Sequence, residues 1–273
     1  MKSQIENGTK NTKEKYTQDW PAYNEAQTTE KVKFKRLVSD LLEVVREKKE
    51  PSAGRNGYDI KTKLFSILLQ TYTGKSSRRV VSEIEEAKEQ GLVSEVPHFN
   101  SVLNFYQDKR LPELLKKLIS ITAKPLANVE QDFTVDSSGF STEIYEEWNH
   151  AKYENPGEMK KFLKAHVMSG VKTNVITSVR TTEGPSNDSP EFSPLVERTA
   201  QHFEIREVSA DKAYSSRENL KTVGENGGKP FIPFRKNSTI KAKGAMIWHK
   251  MYDYFENHRE EFMDHYHKRS NAE

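Results

Sequence analysis

The chain has 273 residues, enough for one large domain or two ordinary ones with a packed core, and carries 43 Lys+Arg against 40 Asp+Glu, a net charge of only +3. That balance fits local basic faces rather than a uniformly cationic protein, so nucleic acid is permitted but not dictated. The absence of Cys excludes disulfide scaffolds, thiolate metal sites and Cys nucleophiles. No apolar run approaches the roughly 18 residues that span a bilayer, and the Lys-rich start MKSQIENGTKNTKEK has no apolar centre. A soluble, intracellular protein is the expectation.

Residues 1–27 read as a flexible arm anchored by Trp20, Pro21 and Tyr23. Phe34, Leu37, Val38, Leu41, Leu42 and Val45 follow at helical spacing, and Glu50–Gly57, with Pro51, Gly54 and Gly57, breaks that helix. Four short amphipathic stripes come next, around Leu64–Tyr72, Val80–Ala87, Phe99–Tyr106 and, after Pro112, Leu114–Ile119. Residues 28–125 therefore form a helical, helix-turn-helix-like candidate DNA-binding domain. Lys75, Ser76, Ser77, Arg78 and Arg79 open its second short helix, where side chains and helix N–H groups suit phosphate. A plain helical bundle with an exposed basic turn fits the pattern equally well.

After Asn128 the periodicity changes from helical to alternating. Phe133 and Val135 are spaced by two and lead into Asp136-Ser137-Ser138-Gly139, a carboxylate near the end of a half-buried strand. Such an acid sits on a rigid element with open space beside it, which suits a metal ligand or an acid/base group; Asp-Ser-Ser-Gly is also ordinary turn chemistry. Phe162–Val167 and Val175–Val179 read as further strands, with Trp148, Tyr153 and Pro156 in the connection before them. The stretch TTEGPSNDSPEFSP reads as a loop that opens a helix through Phe192, Leu195, Val196 and Thr199. Glu204–Ser209 reads as a strand ending at Ala210-Asp211, followed by a helix over Ser215–Val223. Lys229–Phe234 reads as a short strand displaced to a sheet edge by its prolines, and a long helix runs from about Ala245 to the end. The fold class is mixed α+β or α/β, with a mixed sheet flanked by helices over residues 129–273.

Asp211 repeats the arrangement of Asp136, although a helix N-cap role accounts for it alone. On the last helix Tyr266, Arg269 and Glu273 stand at i, i+3 and i+7 and share a face. His265 and His267, two apart on a helix, point to different faces and make no zinc site.

The combination of FTVDSSGF, SADKAY and YHKRSNAE closely resembles the DDE transposases of bacterial and archaeal insertion sequences, in the branch whose last carboxylate lies in a Tyr-x2-Arg-x3-Glu helix motif. The resemblance covers roughly residues 130 to 273 and implies a ribonuclease H-like catalytic domain. It puts Asp136, Asp211 and Glu273 on the metal-binding triad, and Tyr266 and Arg269 on accessory catalytic positions. It further implies a two-metal Mg2+ or Mn2+ site, phosphodiester cleavage and strand transfer on double-stranded DNA (element ends and target), and a homodimer on DNA. No membrane and no small-molecule substrate are implied, and the location is cytoplasmic, with the nucleoid. Lys212 and Arg269 would balance charge near the scissile phosphate, and Arg235 and Lys236, with Lys241 and Lys243, would contact backbone phosphates; a solvated loop explains the last group equally well.

The family pattern continues past the Glu with a basic residue two turns on, whereas this sequence ends at Glu273. The expectation is a C-terminally incomplete transposase with impaired activity. A non-catalytic DNA-binding fragment or inhibitor and a structure-specific nuclease of the same fold are the alternatives. Asp188 lies where relatives often carry a His-Asp pair, but Asn187 replaces the His, and a loop-exposed acid is the reading adopted for it.

Overall fold

The computed structural model describes residues 19–46, 57–141 and 162–271. The expected break at Glu50–Gly57 lies almost wholly outside them, and Trp148, Tyr153, Pro156 and Glu273 lie outside them entirely. The chain divides into two units, Met1–Asp108 and Lys109–Glu273.

The first unit is helical: α1 (Trp20–Leu42), α2 (Ile60–Thr73), α3 (Ser77–Glu89) and α4 (Phe99–Phe105). Helix α1 starts within the segment expected to be an arm, capped by Asp19 with Pro21 in its first turn. Asp59 caps α2 by accepting from the Thr62 N–H at 2.6 Å. Gly74, at φ 62°, ends α2 in the left-handed conformation that a side chain resists, which makes the tight turn into α3. Leu64, Phe65, Val80, Ile84 and Val102 form the buried centre. One polar cluster is built into it. The Glu83 carboxylate takes Lys31 at 2.6 Å, Lys35 at 3.4 Å and Lys75, while Lys35, only 1% exposed, also reaches Glu86 at 2.8 Å. A buried ammonium of this kind persists only because carboxylates surround it.

The second unit begins with α5 (Leu111–Ala123), which lies against a strand of the sheet. The boundary expected after residue 125 thus falls between Asp108 and Lys109, because the buried Leu111, Leu118 and Ala123 side of α5 belongs with the sheet. Strands β1 (Asp132–Ser141), β2 (Phe162–Gly170) and β3 (Ile176–Glu183) form an antiparallel meander, followed by α6 (Ser189–Ala200), β4 (Glu207–Ala210), α7 (Arg217–Glu225) and β5 (Lys229–Phe231). The sheet order is β3-β2-β1-β4-β5, with β4 parallel to both β1 and β5. This is the mixed sheet with flanking helices that the alternating pattern implies, and β5, which carries Pro230, is at the edge.

The expected single C-terminal helix is two, α8 (Met246–Asn257) and α9 (Arg259–His267), followed by a 3-10 turn, Lys268–Asn271. His258 leaves helical dihedrals at φ −132°, ψ 50°. Phe255 and Phe262 would stand about 10.5 Å apart along a straight helix, whereas the bend brings their ring centroids to 5.0 Å. Burying both rings in one core is the physical reason for the break.

The hairpin between β2 and β3 is held from below by Glu130, 1% exposed, which accepts from the Lys172 N–H at 3.0 Å, the Thr173 N–H at 2.8 Å and the Thr173 hydroxyl at 2.9 Å. Among the described residues no helix is long and apolar enough to cross a membrane.

Candidate active site

Strand alternation decides which residues of β1 and β4 meet. Phe133, Val135, Val208 and Ala210 turn into the core, so Asp132, Thr134, Asp136, Glu207, Ser209 and Asp211 share the opposite face. Val135 and Ala210 are register partners in the parallel pair, and the next residue on each strand is therefore an acid. Asp136 still belongs to β1, while Asp211 opens the 3-10 turn Lys212–Tyr214.

Each acid has one oxygen tied to the backbone. Asp136 Oδ1 accepts from the Ser137 N–H at 2.9 Å, and Asp211 Oδ1 from the Ala213 N–H at 3.0 Å. The other oxygens turn towards one guanidinium: Arg269 lies 4.0 Å from Asp136 Oδ2 and 3.7 Å from Asp211 Oδ2. Arg269 also donates to the Tyr266 hydroxyl at 3.2 Å. The two carboxylates are half exposed, at 50% and 45%, so both retain solvent-facing lone pairs around a fixed positive charge.

Farther down the same face, the register partners Asp132 and Glu207 hold the end of α9 and the start of the turn after it. Lys268 Nζ is 2.8 Å from Glu207 and 3.7 Å from Asp132, His265 Nδ1 is 2.9 Å from Glu207, and Arg206 pairs with Asp132. The His265 ring stacks on Phe231 with centroids 4.3 Å apart. These contacts, together with the fully buried Phe262, put Arg269 over the two upper acids.

The core side of β1 contributes a second polar group. Asp188, at the start of α6, is 21% exposed, pairs with Lys164 at 2.8 Å and accepts from the Ser137 hydroxyl at 3.3 Å. The reading of Asp188 as a loop-exposed acid is therefore corrected: it is tied to the residue that follows Asp136. His166, fully buried, bonds Thr182 at 2.8 Å; burial pushes its pKa down, against the opposing charge of Asp188. Burial pushes the Tyr214 hydroxyl strongly upward in pKa, opposed by the Ser137 hydroxyl and reinforced by the charges of Asp188, Asp136 and Asp211. Lys164 and His166 carried no motif in the sequence, and Tyr214, although it closes the SADKAY stretch, gave no sign there of lying near Ser137.

The basic candidates fall into two groups. Lys75 is engaged by Glu83, Arg78 lies over the Phe99 ring at 4.8 Å, and Arg79 is exposed. In the second unit Lys212, Arg235, Lys236, Lys241 and Lys243 are exposed, and of these Arg235 donates to the carbonyls of Lys212 at 3.3 Å and Ala213 at 2.8 Å.

The structure thus brings Asp136, Asp211, Arg269 and Tyr266 together, and Glu273 lies outside the described residues. Among the described residues no group of three His, Cys, Asp or Glu converges so as to hold a metal ion. The two hard oxygen donors already arranged around a cation fit Mg2+ or Mn2+ chemistry as part of a ligand set.

Three comparisons set this geometry among known proteins. A family model described as "Transposase DDE domain" matches residues 128–273. No curated protein matches the chain. A cryo-EM structure of a piggyBac transposase synaptic complex with hairpin DNA is similar over 78% of this chain at 12% identity and a TM-score of 0.32; the chain spans about half of that protein's length, 49%.

Proposed function

The chain belongs to the transposase DDE domain family, and from that premise we propose that it is a DNA transposase that cleaves and joins phosphodiester bonds at the ends of an insertion sequence. The observation that carries the reading is the placement of Asp136 on β1 and Asp211 just past the end of the parallel β4, both facing Arg269. Asp136 and Asp211 would hold two divalent cations, with Glu273 as the third ligand on the strength of its motif. When bound, such ions supply a lowered pKa for water or a DNA 3′-hydroxyl and charge stabilisation for the leaving oxygen.

The protein's own groups do the rest. Arg269, oriented by Tyr266, keeps the acids apart in charge and offers a donor fork to a phosphate oxygen that enters between them. Lys212, in the turn after Asp211, and Lys236, Lys241 and Lys243, on the loop after β5, are exposed and would follow the DNA backbone. In the first unit the Gly74 turn and the start of α3 are the proposed DNA-reading element, with Arg78 and Arg79 as phosphate contacts and Lys75 occupied by Glu83. Pairing of two element ends calls for two copies on DNA.

A supercoiled plasmid carrying element ends tests this with Mg2+ or Mn2+. Nicking and strand-transfer products that disappear in Asp136→Asn and Asp211→Asn, with DNA binding retained, are expected. Nicks without joined products would make it a nuclease, and end binding without nicks a non-catalytic DNA-binding protein.

A further inference from the structure

Arg235 lies four residues past the end of β5 and is exposed, as a phosphate contact would be, yet its guanidinium is already engaged with the backbone of a neighbouring turn. Its Nε donates to the Lys212 carbonyl at 3.3 Å and its Nη2 to the Ala213 carbonyl at 2.8 Å. Those two carbonyls belong to the turn that starts at Asp211, where the Asp211 side chain accepts from the Ala213 N–H and the Asp211 carbonyl accepts from the Tyr214 N–H at 2.9 Å. The parallel pairing of Ser209 with Phe231 brings the two departing segments side by side. Phe234 fixes the second segment, with its ring buried among Trp248, Tyr252 and Phe255.

We infer that Arg235 is a positioning residue: its fork clamps two successive carbonyls and thereby holds the turn that aims the Asp211 carboxylate. The inference rests on the reading of Asp211 as a cation ligand. The geometry requires Arg, because two coplanar donors at fixed spacing can satisfy two neighbouring carbonyls at once, whereas an ammonium on a flexible stem is a point charge. Groups that orient a metal-binding side chain influence affinity nearly as strongly as the ligands themselves. Lys236, Lys241 and Lys243, exposed on the same loop, remain available for DNA.

The experiment uses the full chain with Arg235→Lys and Arg235→Gln. Three quantities are read: amide hydrogen exchange over residues 211–215, Mn2+ affinity by calorimetry, and affinity for duplex DNA in EDTA. A clamp predicts that both variants exchange about tenfold faster in that segment alone and bind Mn2+ about tenfold more weakly. It also predicts that Arg235→Lys keeps its DNA affinity. A phosphate contact predicts the reverse: Arg235→Lys matches the parent in exchange and Mn2+ binding, and only Arg235→Gln loses DNA affinity. That result, or faster exchange spread over β4 and β5, overturns the inference. Should the parent bind no Mn2+, the ligand reading of Asp211 fails by itself. Exchange in Arg235→Lys then still decides the clamp, which is upheld by local acceleration and overturned by none.

Discussion

Val135 and Ala210 face each other as register partners on two parallel strands, and this one pairing brings together two acids separated by 74 intervening residues (211 − 136 − 1). Each acid is half exposed and has one oxygen tied to the backbone, so each should act as a ligand without supporting the fold. Asp136→Asn and Asp211→Asn are each expected to weaken Mn2+ binding by at least about 1.4 kcal/mol, a factor of ten. The midpoint of urea unfolding in EDTA should stay near the parent's. Calorimetric titration with Mn2+ checks the first expectation. Parent-like affinity in both variants would remove the site.

Arg269 is the counter-charge to both acids. Removing it in Arg269→Gln leaves two neighbouring carboxylates facing each other, but their exposure lets water and salt screen most of the repulsion. The loss of stability in EDTA is expected to be about 1 kcal/mol or less. Added Mn2+ should then raise the melting temperature of Arg269→Gln more than that of the parent, because the ion now supplies the missing positive charge. Thermal melts with and without Mn2+ read this directly; an equal rise in both proteins would mean that Arg269 does not answer these acids.

Asp136 and Asp211 were legible because two-residue alternation before each is a local signal, and local signals survive in a single sequence; the expected strand end and turn at Asp136 were not, because β1 runs on through Ser141 in register with β2. The neighbourhood of Asp188 was not legible: its ties to Lys164 and Ser137 join residues 24 and 51 positions away, and only the folded sheet makes them neighbours. Helix α5 shows an intermediate case. Its apolar stripe is plain, but a stripe does not say which core it joins, and it joins the sheet. The bend at His258 has no Pro or Gly to announce it and follows from the demand of Phe255 and Phe262 for a shared core. Arg235 read as a surface cation and is exposed, but nothing in its own segment reveals the carbonyls it meets.

The first unit should show an acid-sensitive stability that depends on Glu83. Burial pushes the Glu83 carboxyl up, but Lys31, Lys75 and Lys35 outweigh burial and bring it from 4.5 to about 2. A carboxyl depressed in the folded state binds its proton more readily when unfolded. Its stabilising contribution is therefore complete above about pH 4.5 and is lost as pH falls towards 2, with a ceiling of about 3 kcal/mol. Glu83→Gln should flatten the acid limb of a stability–pH curve over that window and lower stability at pH 6. An acid limb unchanged by the substitution would assign it to other carboxylates.

Gly170 is a position where a single methyl group should matter. A Cβ built there would run into the Glu130 carboxylate, inside any allowed contact. The end of a Glu side chain is ordinarily free to move aside, but this carboxylate is 1% exposed and its Oε2 holds the hairpin through two backbone N–H groups and the Thr173 hydroxyl. Displacing it leaves a buried charge with donors unmatched, and retaining it strains the strand. Gly170→Ala is expected to destabilise the second unit by about 2–3 kcal/mol, read as a lower urea midpoint with an unchanged slope. Glu130→Ala in the same background separates the two causes. If the clash with the carboxylate is what costs stability, Gly170→Ala should add little once Glu130 is gone; full additivity would place the strain in the backbone of β2 instead.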